Sequence, residues 1–134
     1  MITAAALLAE RVGDVLALSG FYETEPWGFA SENLFLNAAV KLKTSFSPSE
    51  LLLATQQIEK ELGRTEKSNG AYHDRIIDID ILLYDDEIRQ TAELTLPHPL
   101  MHERKFVMDP LSEIAPFVVH PVLKERIIDL KERL

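Results

Sequence analysis

The chain has 134 residues, of which 46% are apolar and 27% charged, a length and balance that fit one globular domain and exclude a disordered or fibrous chain. Its 22 acidic residues outnumber 14 basic ones for a net charge of −8, so no nucleic-acid partner is expected, because phosphate contacts need a basic surface. Cysteine is absent, which removes disulfides, thiolate nucleophiles and cysteine zinc sites and fits a cytoplasmic location; no apolar run nears the roughly 18 residues of a membrane span, so no membrane is expected either.

Residues 1–13 read as a helix, rich in Ala and Leu, with Ile2, Ala5, Leu8 or Ala9, and Val12 as an apolar stripe. Gly13 is suited to stop it in the left-handed conformation. No basic n-region precedes it, so it is not a signal peptide. The sequence opens inside an apolar helix without an N-cap residue, which leads to the expectation of a segment upstream, against a natural short start. Residues 15–24 form a β-rich stretch that runs into a loop at Pro26-Trp27-Gly28. Residues 34–44 alternate as a strand, with Leu36, Ala38, Val40 and Leu42 on one face and Phe35, Asn37, Ala39, Lys41 and Lys43 on the other.

Ser47-Pro48-Ser49-Glu50 is a helix start, with Ser47 as cap, Pro48 in the first turn and Glu50 closing a capping box. The helix is expected to reach about Leu62, burying Leu51, Thr55, Ile58 and Leu62, and to end at Gly63. Gln56 and Glu59 share a different face, three residues apart. Residues 64–74 are polar and read as a mobile loop, and residues 76–84 as a strand. A turn at Asp85-Asp86, a short hairpin arm over 87–96, a rigid Pro97-His98-Pro99, a helix near 106–115 and a terminal helix over 122–134 follow. The order helix, strand, strand, helix, strand becomes βαββαβ once a strand is set in front. The expected fold is therefore α+β: a single ferredoxin-like βαββαβ sandwich with extra C-terminal elements, its first strand missing from this chain.

The most informative stretch is Arg75-Ile76-Ile77-Asp78-Ile79-Asp80-Ile81-Leu82-Leu83-Tyr84. Ile77, Ile79, Ile81 and Leu83 share one face; Asp78 and Asp80 share the other, roughly 6–7 Å apart at Cβ for a strand rise of ~3.3 Å. Two carboxylates so placed repel, and a cation between them removes the repulsion. Hard oxygen ligands select Mg²⁺, which takes one or two protein carboxylates together with substrate phosphates. The alternative is a solvated outer face of a half-buried sheet. Nearby in pattern, Phe35 suits stacking on a planar ring and Asn37 suits reading its edge, against a peripheral core residue and a strand-edge amide. Arg64 and Lys67 suit a polyphosphate, against solvated loop cations. His98 sits between prolines, and Arg104 with Phe106 forms a cation and ring pair, against a surface Arg beside a core Phe.

In order and spacing, Phe21-Tyr22-Glu23-Thr24-Glu25-Pro26-Trp27-Gly28, Phe35-Leu36-Asn37-Ala38, Ile58-Glu59-Lys60-Glu61-Leu62-Gly63-Arg64, the 75–84 stretch, Leu96-Pro97-His98-Pro99, Arg104-Lys105-Phe106-Val107 and the run from Pro110 to Pro116 resemble the 6-hydroxymethyl-7,8-dihydropterin pyrophosphokinases of folate biosynthesis. The resemblance covers about residues 1–121. It implies transfer of pyrophosphate from ATP to the pterin hydroxymethyl group, with AMP released and two Mg²⁺ ions held by Asp78 and Asp80. It also implies that Asp80 helps orient the attacking hydroxyl and that Arg64 and Arg75 meet phosphates, Arg64 from a loop that closes. Gln56, Glu59, Ile81, His98 and Arg104 would line the ATP side, and Lys67 joins them as a nucleotide-binding candidate from its own charge and position. Phe35 and Phe106 would sandwich the pterin, with Asn37 at its edge and Thr24 and Trp27 completing the pocket. The sequence departs from the family pattern at Phe35, often Tyr in relatives, and at Glu66, where relatives carry a second Arg. The family's first strand and its Gly-Ser-Asn turn are expected ahead of Met1. A monomer or a strand-exchanged dimer is then expected. The alternative function is an impaired relative that binds pterin or a partner without turnover.

Overall fold

The computed structural model describes residues 2–24, 35–67 and 78–134. It is an α+β arrangement of four α-helices and three small antiparallel sheets among those residues. Helix α1 (Ile2–Arg11) leads into strand β1 (Gly13–Leu18), which pairs with β4 (Val40–Thr44); β2 (Tyr22–Thr24) pairs with β3 (Phe35–Asn37). Helix α2 (Pro48–Lys67) follows. A hairpin of β5 (Arg89–Gln90) and β6 (Thr95–Leu96) lies where the arm is expected. Helices α3 (Lys105–Ile114) and α4 (Ile127–Glu132) complete the chain.

Each of the two long strands read from the sequence is broken once, and the breaks face each other. Residues 19–21 separate β1 from β2, and residues 38–39 separate β3 from β4. At the joint, Ser19 donates its N–H to the Ala39 carbonyl at 2.9 Å, and its Oγ accepts the Ala39 N–H at 2.8 Å. A side-chain oxygen thus replaces a ladder rung and bends the ribbon. The bend also shifts the alternation, because an offset of one residue exchanges the faces. Ala39, expected on the face with the lysines, is 7% exposed, whereas Leu36, expected on the apolar face, is 45% exposed. Leu16 is an extra residue in the β1–β4 register, where pairing jumps between Val15 and Ala17.

Gly13 is needed for close approach, not for a left-handed stop. A Cβ there would fall 2.1 Å from the Lys43 carbonyl oxygen, so only glycine lets β1 lie against β4 directly after α1. The capping box at α2 forms as expected: Glu50 N–H bonds to Ser47 Oγ at 3.2 Å, and Ser47 N–H to Glu50 Oε1 at 2.8 Å. Gly63 does not end that helix. Its position is open, a mid-helix glycine costs only about 1 kcal/mol, and no proline follows, so α2 runs on to Lys67. Arg64 and Lys67 therefore stand on a helix and not on a loop.

Two apolar clusters hold these elements. One gathers Leu8 of α1 and Val12 just after it with Leu51 and Ile58 of α2, and Leu42, Phe46, Ile79, Ile81 and Tyr84 pack on it. The other joins Ala39, Met101, Met108, Leu111, Ile127 and Leu130, with Leu82 and Leu83 against it. Residues 78–84 thus straddle both clusters. They form no sheet pairing among the described residues, contrary to the strand expected there. Apolar side chains and single anchors hold the segment instead: His98 N–H bonds to the Leu82 carbonyl at 2.9 Å, and the Tyr84 hydroxyl to the Phe46 carbonyl.

The terminal helix is shorter than its sequence pattern. Residues 119–126 fold into a turn closed by a Val119–Arg126 bridge, with Lys124 at φ 62°. His120, 3% exposed, organises that turn: its Nδ1 accepts the N–H groups of Val122 at 3.2 Å and Leu123 at 3.0 Å. Burial, and secondarily the neighbouring His102 ring, hold its pKa below the ordinary value. The unfolded chain then binds more protons as pH falls below about 6.5, so this part of the stability is present above that pH and is lost on acidification. Thermal melts between pH 8 and pH 5 are expected to show a falling Tm, with the slope reduced in His120→Asn, whose Oδ1 can replace Nδ1 as acceptor. An unchanged slope in that variant assigns the effect to another group.

Candidate active site

Asp78 and Asp80 are both exposed and flank Ile79, which turns into the α1–α2 cluster. The in-and-out alternation read from the sequence therefore holds, although a ladder is not what maintains it. Glu59, half-buried on α2, reaches across and accepts the Ile79 N–H through Oε2 at 2.7 Å. One carboxylate thus fixes the backbone midway between two others. Ile81, the next inward residue, packs in the same cluster, and His98 is tied by its backbone to Leu82. The His98 ring is oriented from its other side, with Nδ1 accepting the Leu100 N–H at 3.3 Å. Glu59, Asp78, Asp80, Ile81 and His98 accordingly belong to one neighbourhood.

The donor chemistry there suits a hard divalent cation. No cluster of three or more His, Cys, Asp or Glu side chains of metal-binding arrangement occurs among the described residues. A closed protein cage of the kind calcium or zinc selects is therefore not formed by them. Two exposed carboxylates on one segment instead match the sparse protein ligation of Mg²⁺, whose remaining positions are filled by water and phosphate oxygens.

A second neighbourhood lies on the ribbon and on α3. Thr24 stands opposite Phe35 and Tyr22 opposite Asn37 in the β2–β3 register. Phe106, in the first turn of α3, is 43% exposed, and the Arg104 guanidinium lies over its ring at 5.8 Å from the centroid. The cation and ring pair read from the sequence is present, and the ring stays exposed beside it. Gln56 is exposed on α2. Trp27 and Arg75 lie outside the described residues, and of Arg64, Lys67, Thr24 and Phe35 only the backbone position is described. One contact was not legible beforehand: Glu113, near the end of α3, accepts hydrogen bonds from Gly20 and Tyr22. Nothing in the spacing of residues 91 and more positions apart signals it.

Exposed paired carboxylates and an exposed aromatic ring, each presented by its own neighbourhood, suit an enzyme that moves a phosphate group onto a flat organic acceptor. Comparison with known proteins gives that class its family. Residues 1–116 match the family described as 7,8-dihydro-6-hydroxymethylpterin-pyrophosphokinase (HPPK). A 2-amino-4-hydroxy-6-hydroxymethyldihydropteridine pyrophosphokinase of Porphyromonas gingivalis is 57% identical over 117 residues, 86% of this chain and 79% of that protein. Its counterpart in Aquifex aeolicus is 43% identical over 122 residues, 91% of this chain and 75% of that protein. The Bacillus subtilis protein of the same name is 48% identical over 112 residues, 83% of this chain and 66% of its own length.

The chain belongs to the HPPK family. It is an ATP-dependent pyrophosphokinase of folate biosynthesis, and this membership favours catalysis over binding without turnover. Among the described residues no helix is long and apolar enough to cross a membrane.

Proposed function

We propose that Asp78 and Asp80 hold two Mg²⁺ ions on the ATP phosphates, and that this chain transfers pyrophosphate to the hydroxymethyl group of 6-hydroxymethyl-7,8-dihydropterin in the cytoplasm. The observation that carries the reading is the exposed Asp78–Asp80 pair with Ile79 pinned between them by Glu59. The pterin lies between Phe35 and Phe106, with its edge at Asn37 and with Thr24 and Trp27 closing the pocket. Gln56, Glu59, Lys67, Ile81, His98 and Arg104 line the nucleotide side, and Arg64 and Arg75 meet its phosphates. Helix α1, the bent ribbon, α2 and residues 78–84 follow one another as the later elements of a ferredoxin-like βαββαβ plan.

The reaction asks the protein for alignment and charge control more than for covalent chemistry. The hydroxymethyl oxygen forms a bond to the β-phosphorus and gives up its proton to water, the bond from that phosphorus to the α–β bridging oxygen breaks, and AMP leaves with the electron pair. Asp80 accepts a hydrogen bond from the attacking hydroxyl and aims its oxygen at the phosphorus. The cations, when bound, neutralise the charge that builds on the phosphate oxygens. Stacking by the exposed ring of Phe106 holds the pterin. The test is AMP release from ATP with Mg²⁺ and the hydroxymethyl pterin. One AMP per diphosphorylated pterin is expected, with no release when either the pterin or the cation is withheld. AMP release that ignores the pterin sinks the reading.

A further inference from the structure

Glu113 gathers three hydrogen bonds from the ribbon. Its two carboxylate oxygens accept the Gly20 N–H at 3.2 and 3.0 Å, and Oε1 also accepts the Tyr22 hydroxyl at 2.7 Å. Gly20 lies in the break between β1 and β2, and Tyr22 opens β2. That strand and β3 share only three residue pairs, Tyr22 with Asn37, Glu23 with Leu36 and Thr24 with Phe35. So short a two-stranded ribbon has little stability of its own, and its direction is set by whatever anchors it. The Ser19–Ala39 joint anchors its base. Glu113 anchors its flank, and does so from α3.

The place of Glu113 on α3 matters. It follows Phe106 by seven residues, which is two helical turns, so both side chains stand on nearly the same face about 10 Å apart along the axis. The face that presents the exposed ring of Phe106 also grips the ribbon that carries Phe35 and Asn37. The Glu113 carboxylate also pushes the Tyr22 phenol above its ordinary pKa, which keeps the hydroxyl a donor throughout the physiological range.

We propose that Glu113 is a positioning residue for the pterin: by clamping Gly20 and Tyr22 to α3 it sets the separation between the Phe35 and Phe106 sides of the pocket before the substrate arrives. The proposal rests on the assignment of Phe35, Asn37 and Phe106 to the pterin given above. Because the clamp is exposed to solvent, its effect is modest and graded. Preorganisation of this kind lowers the ordering that binding must otherwise accomplish, and it acts on the affinity for the pterin more than on the chemical step.

Pterin affinity in the presence of a non-hydrolysable ATP analogue and Mg²⁺, with steady-state kinetics and melting in parallel, tests the proposal. Glu113→Ala is expected to weaken pterin binding about fivefold, with kcat at saturating pterin and KM for ATP within twofold of the parent. Glu113→Gln keeps an acceptor for Gly20 and a polar partner for Tyr22, and it should recover affinity to within about twofold. Tyr22→Phe removes one bond of the three without removing the ring and should weaken pterin binding about twofold, which keeps the test available if Glu113→Ala folds poorly. Phe106→Ala is the control for the pocket and should weaken pterin binding tenfold or more, with no further loss on adding Glu113→Ala. If Phe106→Ala weakens the pterin while Glu113→Ala and Tyr22→Phe do not, the pocket stands and the clamp proposal is overturned. Equal losses for pterin and ATP, together with a lower Tm, make Glu113 a general brace and also overturn it. A Phe106→Ala protein with native pterin affinity removes the pocket assignment itself, and the proposal with it.

Discussion

Replacing Asp80 by Asn is expected to lower turnover a thousandfold or more at saturating ATP and pterin, while the melting temperature stays the same or rises slightly. The side chain is exposed, so its replacement opens no cavity, and it stands two residues from Asp78 on the same side of the chain, so removing one charge relieves a repulsion. The fold therefore has no stake in the carboxylate. The chemistry has a large one, because an amide oxygen is a poor ligand for a hard divalent cation and a weaker acceptor for the attacking hydroxyl. A single arginine that neutralises charge in phosphoryl transfer contributes a factor of about 10³–10⁵ to the rate, and loss of a cation ligand is expected to be of the same order. Single-turnover AMP release and a thermal melt on the same preparation separate the two effects. Turnover within tenfold of the parent would show that Asp80 is part of a solvated face and not a cation ligand.

The alternation Asp78, Ile79, Asp80, Ile81 was legible because it depends only on which side chains water rejects, and the two clusters enforce it without a sheet. For the same reason a strand was the wrong inference: period two reports an extended backbone, and a ladder needs a neighbour that no local pattern supplies. Ser47 and Glu50 were legible because a capping box is built within four residues. Gly63 and Gly13 depart from their local patterns for opposite reasons. At Gly63 open space lets the helix continue past a residue that often ends one, and at Gly13 the need for glycine arises from Lys43 on a strand thirty residues away. The bend at Ser19 and Ala39 exchanged the expected faces of Leu36 and Ala39, a change of phase that depends on one side-chain oxygen. In the terminal segment His120 satisfies the backbone of Val122 and Leu123 in a turn, which outcompetes the first turns of a helix that the apolar spacing favours. At the site, residue types and their spacing were readable, whereas the contacts that orient them, from Glu59 to Ile79 and from Glu113 to Gly20 and Tyr22, join elements whose meeting only the tertiary fold decides.

Glu59→Ala is expected to reduce kcat about a hundredfold, to raise the Mg²⁺ concentration needed for half-maximal rate, and to leave the pterin affinity within threefold of the parent. The family resemblance assigns Glu59 to the nucleotide, yet its carboxylate is engaged with the Ile79 N–H at 2.7 Å. That amide lies between the two candidate cation ligands, on a segment with no sheet pairing among the described residues to hold it. Losing the acceptor frees the peptide to rotate, and both aspartates move with it. A displacement of about 1 Å at a reacting centre is enough for a hundredfold loss. Packing of the half-buried Ile79 and Ile81 on the α1–α2 cluster keeps the segment near its place, which limits the damage to geometry and spares the fold. Glu59→Gln decides between the two roles. Its amide oxygen still accepts from Ile79 N–H, so turnover is expected to return to within about threefold of the parent. If the Gln protein is as impaired as the Ala protein, the negative charge itself acts on the nucleotide or the cation, and Glu59 does not work through the backbone of Ile79.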